Sequence, residues 1–468
     1  MAAEHEPAAG DEFGRAKPCG GPEREHDGTH MNMSGTMKET RSSDVRWLLI
    51  FWLFVLSCVA FLDRVNMSIA GSSIADSYHL TNVQLGWVFS AFLAGYALFQ
   101  TVGGWLADRL GPRRVLAVGV IWWGIFTALT ALVPPAITGA LLIFVAIRFS
   151  LGAGEAVIYP ASNQFVARWI PVNERGIANG WIFAGVGVGA GVAPPLITRL
   201  MVHHGWRVSF WVCAAIGVAA GVVWFAIARD TPQQHPWVSA GEQEKISAGL
   251  TLGAPGGDAV GASAVGARIP WGKILTSREV WAVTVSYFCF GYVAWIFFSW
   301  FYIYLAKVRG LNLKTSALYA MLPFIAMAVC CIIGGQVNDW LTKRRGERLG
   351  RCGLAAFSIA LTAVFLIVGA RASSAQVASL VLAGGAGALY LAQSSFWSVT
   401  ADIGGKSSGS VSGFMNMGAQ AGGWLTAWLT PVIALHYGWP ASFFAAAALC
   451  VVGAAAWLLV DPTQRLAE

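Results

Sequence analysis

Twelve apolar runs of 19 to 29 residues order this 468-residue chain, at 47–70, 83–106, 115–133, 137–165, 176–200, 207–228, 279–304, 315–341, 352–370, 375–400, 408–432 and 440–460. A helix needs roughly 20 apolar residues to cross the hydrocarbon core of a bilayer, so each run is long enough to span it. Only 12% of the residues are charged, against roughly 25% in a soluble domain, which excludes a soluble fold. Long unbroken runs, rather than short alternating strands, also exclude an outer-membrane barrel. The expected class is an all-α membrane protein with twelve transmembrane helices in two six-helix bundles. Fifty-four glycines and 22 tryptophans suit it, since glycine lets spans approach closely and tryptophan anchors them at interfaces.

The runs fall as six, a gap and six. The gap, 229–278, is polar and glycine-rich and reads as a central linker between bundles at 47–228 and 279–460. Residues 1–46 read as a disordered tail without a signal-peptide core, and 461–468 as a second tail. The halves repeat. Gly104-Trp105-Leu106-Ala107-Asp108-Arg109 follows the second run, and Gly335-Gln336-Val337-Asn338-Asp339-Trp340 follows the eighth, 231 residues later. Gly205-Trp206-Arg207-Val208-Ser209-Phe210 recurs as Gly438-Trp439-Pro440-Ala441-Ser442-Phe443, displaced by 233. A near-constant offset means duplicated bundles, the pattern of transporters whose site lies between the halves at mid-membrane.

The net charge of +7 would suggest nucleic acid in a soluble protein, but here placement decides. With both tails and the linker on one side, that side holds 23 of the 31 lysines and arginines. Both termini are therefore expected in the cytoplasm. Eight cysteines form no CxxC pair and every histidine falls in a tail or loop, so neither a metal site nor a cofactor is expected. No phosphate-cradling loop and no GxSxG nucleophile appears, which argues against an enzyme.

Charged residues inside a span cost roughly 2.5 to 3.5 kcal/mol and face a partner or a wet cavity. Here they are Asp63 and Arg64 in the first run, and Arg148 and Glu155 in the fourth. Arg148, Gly152, Glu155 and Tyr159 share one helical stripe at i, i+4, i+7 and i+11. An arginine there can hold an anionic substrate while a carboxylate gains or loses a proton. The competing reading is a structural ion pair of Arg148 with Glu155.

The loop Gly104-x3-Asp108-Arg109-x-Gly111-x-Arg113-Arg114, with its degenerate copy ending at Arg345, resembles the signature of the major facilitator superfamily. Asp63-Arg64, Arg148-x3-Gly152-x2-Glu155-x4-Pro160 and Trp169-x-Pro171-x2-Glu174-Arg175 resemble its anion:cation symporter family, to which bacterial hexuronate, galactonate and glucarate transporters belong. The resemblance implies proton-coupled, alternating-access import of an organic anion, most readily a sugar acid, by a monomer in the bacterial inner membrane. Sodium is the alternative coupling ion. Carried over, Arg64 and Arg148 are the cavity arginines, Asp63 and Glu155 the protonatable pair, and Tyr96 a substrate contact. Ser394, Ser395, Trp397 and Asn416 are candidate contacts from the second half, where interhelical hydrogen bonding is the competing role. Asn416 and Gln420 share a helical face.

Asp108, with Asp339 at the same place in the second half, is expected to accept hydrogen bonds from a neighbouring helix N-terminus. Arg109, Arg113 and Arg114 are expected to hold the halves together as part of the gate. Two departures bear on substrate. Phe183 to Gly189 lacks the amide or hydroxyl that sugar-acid members often supply, and Gly291 precedes Tyr292 where asparagine is frequent. A less hydroxylated or aromatic carboxylate therefore remains an alternative, with Tyr292, Trp295, Trp300 and Trp397 to receive it, as does a facilitator or exporter of the same fold.

Overall fold

The computed structural model describes residues 43–135, 137, 139–251, 270–301, 304–310 and 313–466. The expected tail up to residue 42 and the glycine-rich stretch 252–269 lie outside the described residues. The described residues are helical, with no strand among them.

The first half comprises α1 (Val45–Tyr78), α2 (Asn82–Leu110), α3 (Pro112–Leu132), α4 (Ala140–Glu155), α5 (Ile158–Trp169), α6 (Arg175–His204) and α7 (Trp206–Ile227). Two short helices follow, α8 (Ala240–Thr251) and α9 (Trp271–Thr276). The second half comprises α10 (Arg278–Ser299), α11 (Leu313–Arg345), α12 (Leu354–Arg371), α13 (Ala375–Leu391), α14 (Gln393–Gly404), α15 (Ser408–Tyr437) and α16 (Trp439–Ala456). Eleven stretches among the described residues are long and apolar enough to cross a membrane, and one of these, Ala375–Tyr437, has 63 residues. At 1.5 Å per residue that is about three bilayer cores long. It breaks at Gly405, whose φ of +49° favours glycine, and the two pieces pack on each other. It therefore makes two crossings, which brings the total to the twelve that the sequence predicts.

The duplication is visible in the packing. α1 packs on α6, α2 on α4 and α3 on α7; in the same order α10 packs on α15, α11 on α13 and α12 on α16. The halves meet along α2 with α15 and along α6 with α11. Even the turns repeat, since Gly205 and Gly438 both end a helix at φ +81° and pass straight into a tryptophan. One span in each half is broken at mid-course. Pro160 cannot donate to the carbonyl of Ala156, which explains the break between α4 and α5. Between α13 and α14 no proline is present, and tighter bonds from Ala392 N to Leu389 O and from Ser395 N to Ala392 O close the turn.

The start of the central linker is built into the first half. Glu242 on α8 is fully buried, and its carboxylate accepts hydrogen bonds from the backbone N–H groups of Val45 and Arg46, at 3.1 Å each, and from Ser43 Oγ at 2.5 Å. It thereby caps α1 and also pairs with the Arg46 guanidinium at 3.1 Å, whose Nε reaches Glu174 at 3.2 Å. Upstream, His235 packs edge-on to Trp169, and burial lowers its pKa. The sequence reads this segment as linker because a 12-residue polar helix carries no span-like pattern.

Removing Glu242 leaves Arg46 buried beside fewer acceptors and the first turn of α1 uncapped. Glu242→Ala is expected to lower the thermal unfolding midpoint in detergent by several degrees; breaking a buried pair costs about 3–5 kcal/mol. An unchanged midpoint would show that the clamp contributes nothing to stability.

Candidate functional site

A cavity of about 620 Å³ lies between the halves, within the usual range for small-molecule sites. Two guanidinium groups line it, both from the first half. Arg64 on α1 donates from Nε to Glu155 Oε1 at 2.6 Å, and its Cζ sits 4.4 Å from the Tyr96 ring centre and 4.6 Å from that of Phe61. Arg148 on α4 is 4% exposed and lies 4.6 Å over the Phe92 ring. Among the described residues, Arg64 Nη2, Arg148 Nε and Glu155 Oε2 have no partner, although all three atoms are buried. Buried polar atoms are normally hydrogen-bonded, and Arg64 and Arg148 line the cavity, so their orphaned nitrogens mark a place where a ligand can complete the bonding; Glu155, fully buried behind Arg64, does not itself line it.

The local fold explains the pairing. The fourth run predicts a shared stripe for Arg148 and Glu155, but the carboxylate of Glu155 turns instead to Arg64 on the neighbouring span. Gly152 is where α4 meets α2, since a Cβ there would strike the backbone of Phe92 and Tyr96. That close approach brings Tyr96 and Phe92 against the arginines. Asp63 does not line the cavity. It is 3% exposed, and its Oδ2 accepts from Thr127 Oγ1 at 3.3 Å on the far side of α1.

Of the other expected contacts, Tyr96 and Asn416 line the cavity, as does Gln420 beside Asn416. Asn416 Nδ2 donates to Gln100 Oε1 at 2.9 Å and so links the halves. Ser394, Ser395 and Trp397 do not line it. Ser394 and Ser395 are fully buried, with Ser395 Oγ accepting from Asn338 Nδ2 at 2.7 Å. Trp397 lies one turn beyond Gln393, beneath the cavity, with its ring centre 4.9 Å from Phe183 and 5.8 Å from Tyr159 of the first half. It forms part of an aromatic floor. The break before α14 presents Tyr390 and Gln393 to the cavity in place of the two serines. Trp295 lines the wall, whereas Tyr292 is buried with its hydroxyl on Thr430.

Below the floor, on the face that carries α8, the halves are latched twice in the same way. Asp108 accepts from Gly409 N at 2.9 Å, Ser410 N at 2.7 Å and Ser410 Oγ at 2.6 Å, at the start of α15. Asp339 accepts from Gly176 N at 2.9 Å and Ile177 N at 2.7 Å, at the start of α6. Each carboxylate meets the positive end of a helix in the opposite half. A Cβ on Gly176 or Gly409 would strike the facing aspartate, so only glycine admits this approach. Arg175 of the first half and Arg351 of the second both pair with Asp402 at 2.5 Å.

The three loop arginines are placed differently from the expectation that they join the halves. Arg113 donates to Phe225 O and packs on the Phe225 ring, inside the first half. Arg109 is exposed over Trp105, and Arg114 is exposed. The ionic link across the halves belongs to Arg175, Arg351 and Asp402. Asp402 escapes the sequence reading because it falls just beyond the tenth apolar run, where an acidic residue looks like an ordinary loop charge.

Residues 53–427 match the family model described as the Major Facilitator Superfamily. A probable sulfoacetate transporter of Cupriavidus necator is 33% identical, over 89% of this chain and 94% of its own. A probable galactarate/D-glucarate transporter of Escherichia coli is 32% identical, over 64% of this chain and 68% of its own. Among solved structures, a proton:xylose symporter bound to a bromodeoxyglucose superposes with a TM-score of 0.68 at 15% identity, covering 87% of this chain and 94% of that one. At that identity the likeness is one of fold.

Asp108→Ala removes all three acceptor contacts of one latch, and hydrogen bonds to charged groups are worth about 1.5–3 kcal/mol each. Transport by this variant is expected to fall while the ranking of substrates stays the same. Normal turnover with an altered ranking, measured by uptake in vesicles, would place Asp108 in selectivity instead.

Proposed function

We propose that this chain, which belongs to the major facilitator superfamily and to its group of anion transporters, imports a small organic anion, a sugar acid, together with protons. The observation that carries the proposal is the pair of first-half arginines that line the cavity, each with a buried nitrogen that lacks a partner among the described residues, with Glu155 bonded to one of them. A transporter of this kind is not an enzyme, and its chemistry is confined to binding, proton exchange and reorientation.

The proton enters through competition for Arg64. While Glu155 is ionised it occupies Arg64 Nε; once protonated it releases much of that hold, and both guanidinium groups can grip a carboxylate. Counting Arg64, Arg148 and Glu155 alone, the site carries one net positive charge when empty. It carries the same charge when loaded with one proton and one monoanion. The loaded carrier thus reorients at no extra cost in buried charge. Asp63, behind α1, is the second proton site of this scheme.

The latches and the aromatic floor close one face, so substrate enters from the other. With the α8 face in the cytoplasm, as the lysine and arginine distribution favours, this is the outward-facing state of a monomer in a bacterial inner membrane. Release then requires both latches to open. The aromatic walls, including Phe89, Phe92, Phe183 and Phe290, support a second reading, an anion with few hydroxyls, as does the relative named for sulfoacetate.

The decisive experiment is proton movement into liposomes containing the purified chain, on adding glucarate, galactonate, glucuronate or aromatic acids one at a time. External alkalinisation with a sugar acid, lost in Glu155→Gln and in Arg148→Ala, is the expected result. Uptake without proton movement, undiminished in Glu155→Gln, would leave a facilitator with a structural Arg64–Glu155 pair.

A further inference from the structure

The wall supplied by the second half carries a polar pair that takes no part in the latches and touches the floor only through Trp397. Tyr287 and Gln393 both line the cavity, at 4% and 3% exposure. The Tyr287 hydroxyl accepts from Gln393 Nε2 at 2.9 Å and from Trp397 Nε1 at 3.1 Å. Indole and amide nitrogens can only donate, so both lone pairs of the phenol oxygen are used and its own hydrogen is free to point elsewhere. Among the described residues no acceptor takes it. Gln393 Oε1 is buried and likewise has no partner among the described residues. One unsatisfied donor and one unsatisfied acceptor therefore stand side by side, opposite the arginines.

Both groups are neutral. The described cations of the cavity, Arg64 and Arg148, belong to the first half, so nothing described on the opposite wall compensates a second negative charge. A hydroxyl both donates and accepts, and it fits such a pair without bringing a charge. A second carboxylate or a sulfonate would have to give up its water with no counter-charge, which is far more costly than burying an alcohol. Resting on the anion-carrier function above, we propose that Tyr287 and Gln393 form a subsite for a hydroxyl of the substrate remote from its acid group. The carrier then prefers monoanionic hydroxy acids over dianions and over unhydroxylated acids of the same length. A site built to hydrogen-bond a substrate hydroxyl discriminates strongly against analogues that lack it.

The test uses the purified full-length chain in liposomes at neutral pH, with three six-carbon acids: gluconate, hexanoate and glucarate. Gluconate is expected to be taken up with a KM at least about tenfold lower than the other two, the factor that corresponds to one neutral hydrogen bond. Tyr287→Phe removes the donor and Gln393→Leu the acceptor. Each is expected to raise the KM for gluconate by about tenfold while leaving that for hexanoate unchanged. Hexanoate uptake thereby reports that the variants are folded. Glucarate matching or surpassing gluconate, or equal losses for gluconate and hexanoate in both variants, overturns the subsite and leaves the carrier standing. Absence of flux with every acid, sugar acids included, overturns the carrier function and the subsite with it.

Discussion

An arginine buried in a membrane protein has to be answered by something, and the organisation of this cavity follows from how Arg64 is answered. Its partner Glu155 lies on another span, so the ion pair also fixes how α1 and α4 sit relative to each other. Three aromatic rings, Phe61, Phe92 and Tyr96, press on the same guanidinium and keep it from reaching water elsewhere. Arg148 makes no close ion pair among the described residues and lies over the face of Phe92, with Glu155 and Asp63 acting on it only at longer range. The difference between the two arginines makes the site a receptor rather than a staple. In the proposed function, one is held by a carboxylate that a proton can withdraw, and the other receives the anion.

The two ends of the cavity are built from opposite materials. Charge comes from the first half and neutral hydrogen bonding from the second. Carriers duplicated from a six-helix unit start with equivalent halves, and here the equivalence survives in the packing and the latches but not in the cavity. Structural parts that must match across the pseudo-twofold axis have stayed alike. Those that line the cavity have diverged.

Much of the architecture was legible in the sequence because its signals are long. Runs of about 20 apolar residues, a repeat at an offset of 231 to 233 and paired Asp108 and Asp339 each rest on many residues or on exact recurrence. The acceptance of helix N-termini by both aspartates was readable for the same reason. The cavity wall of the second half was not. It depends on the break after Leu391, which rotates Gln393 into view and hides Ser394 and Ser395, and no proline announces that break. Partner choice was hidden too. A helical stripe states which residues share a face, so it placed Arg148 with Glu155, but it cannot show that Arg64 on the neighbouring α1 takes the carboxylate instead. The bridging role given to Arg109, Arg113 and Arg114 failed on distance along the helix ends, since those side chains emerge outside the contact between halves.

The two latches have the same geometry to within a tenth of an ångström in their backbone bonds, yet they sit on opposite sides of the interface, one on α15 and one on α6. Neither half can therefore swing away while pivoting on one of them without straining the other. In the proposed carrier, rotation of the bundles therefore has to shed both carboxylates from their helix ends. Reorientation in that scheme is a cooperative step.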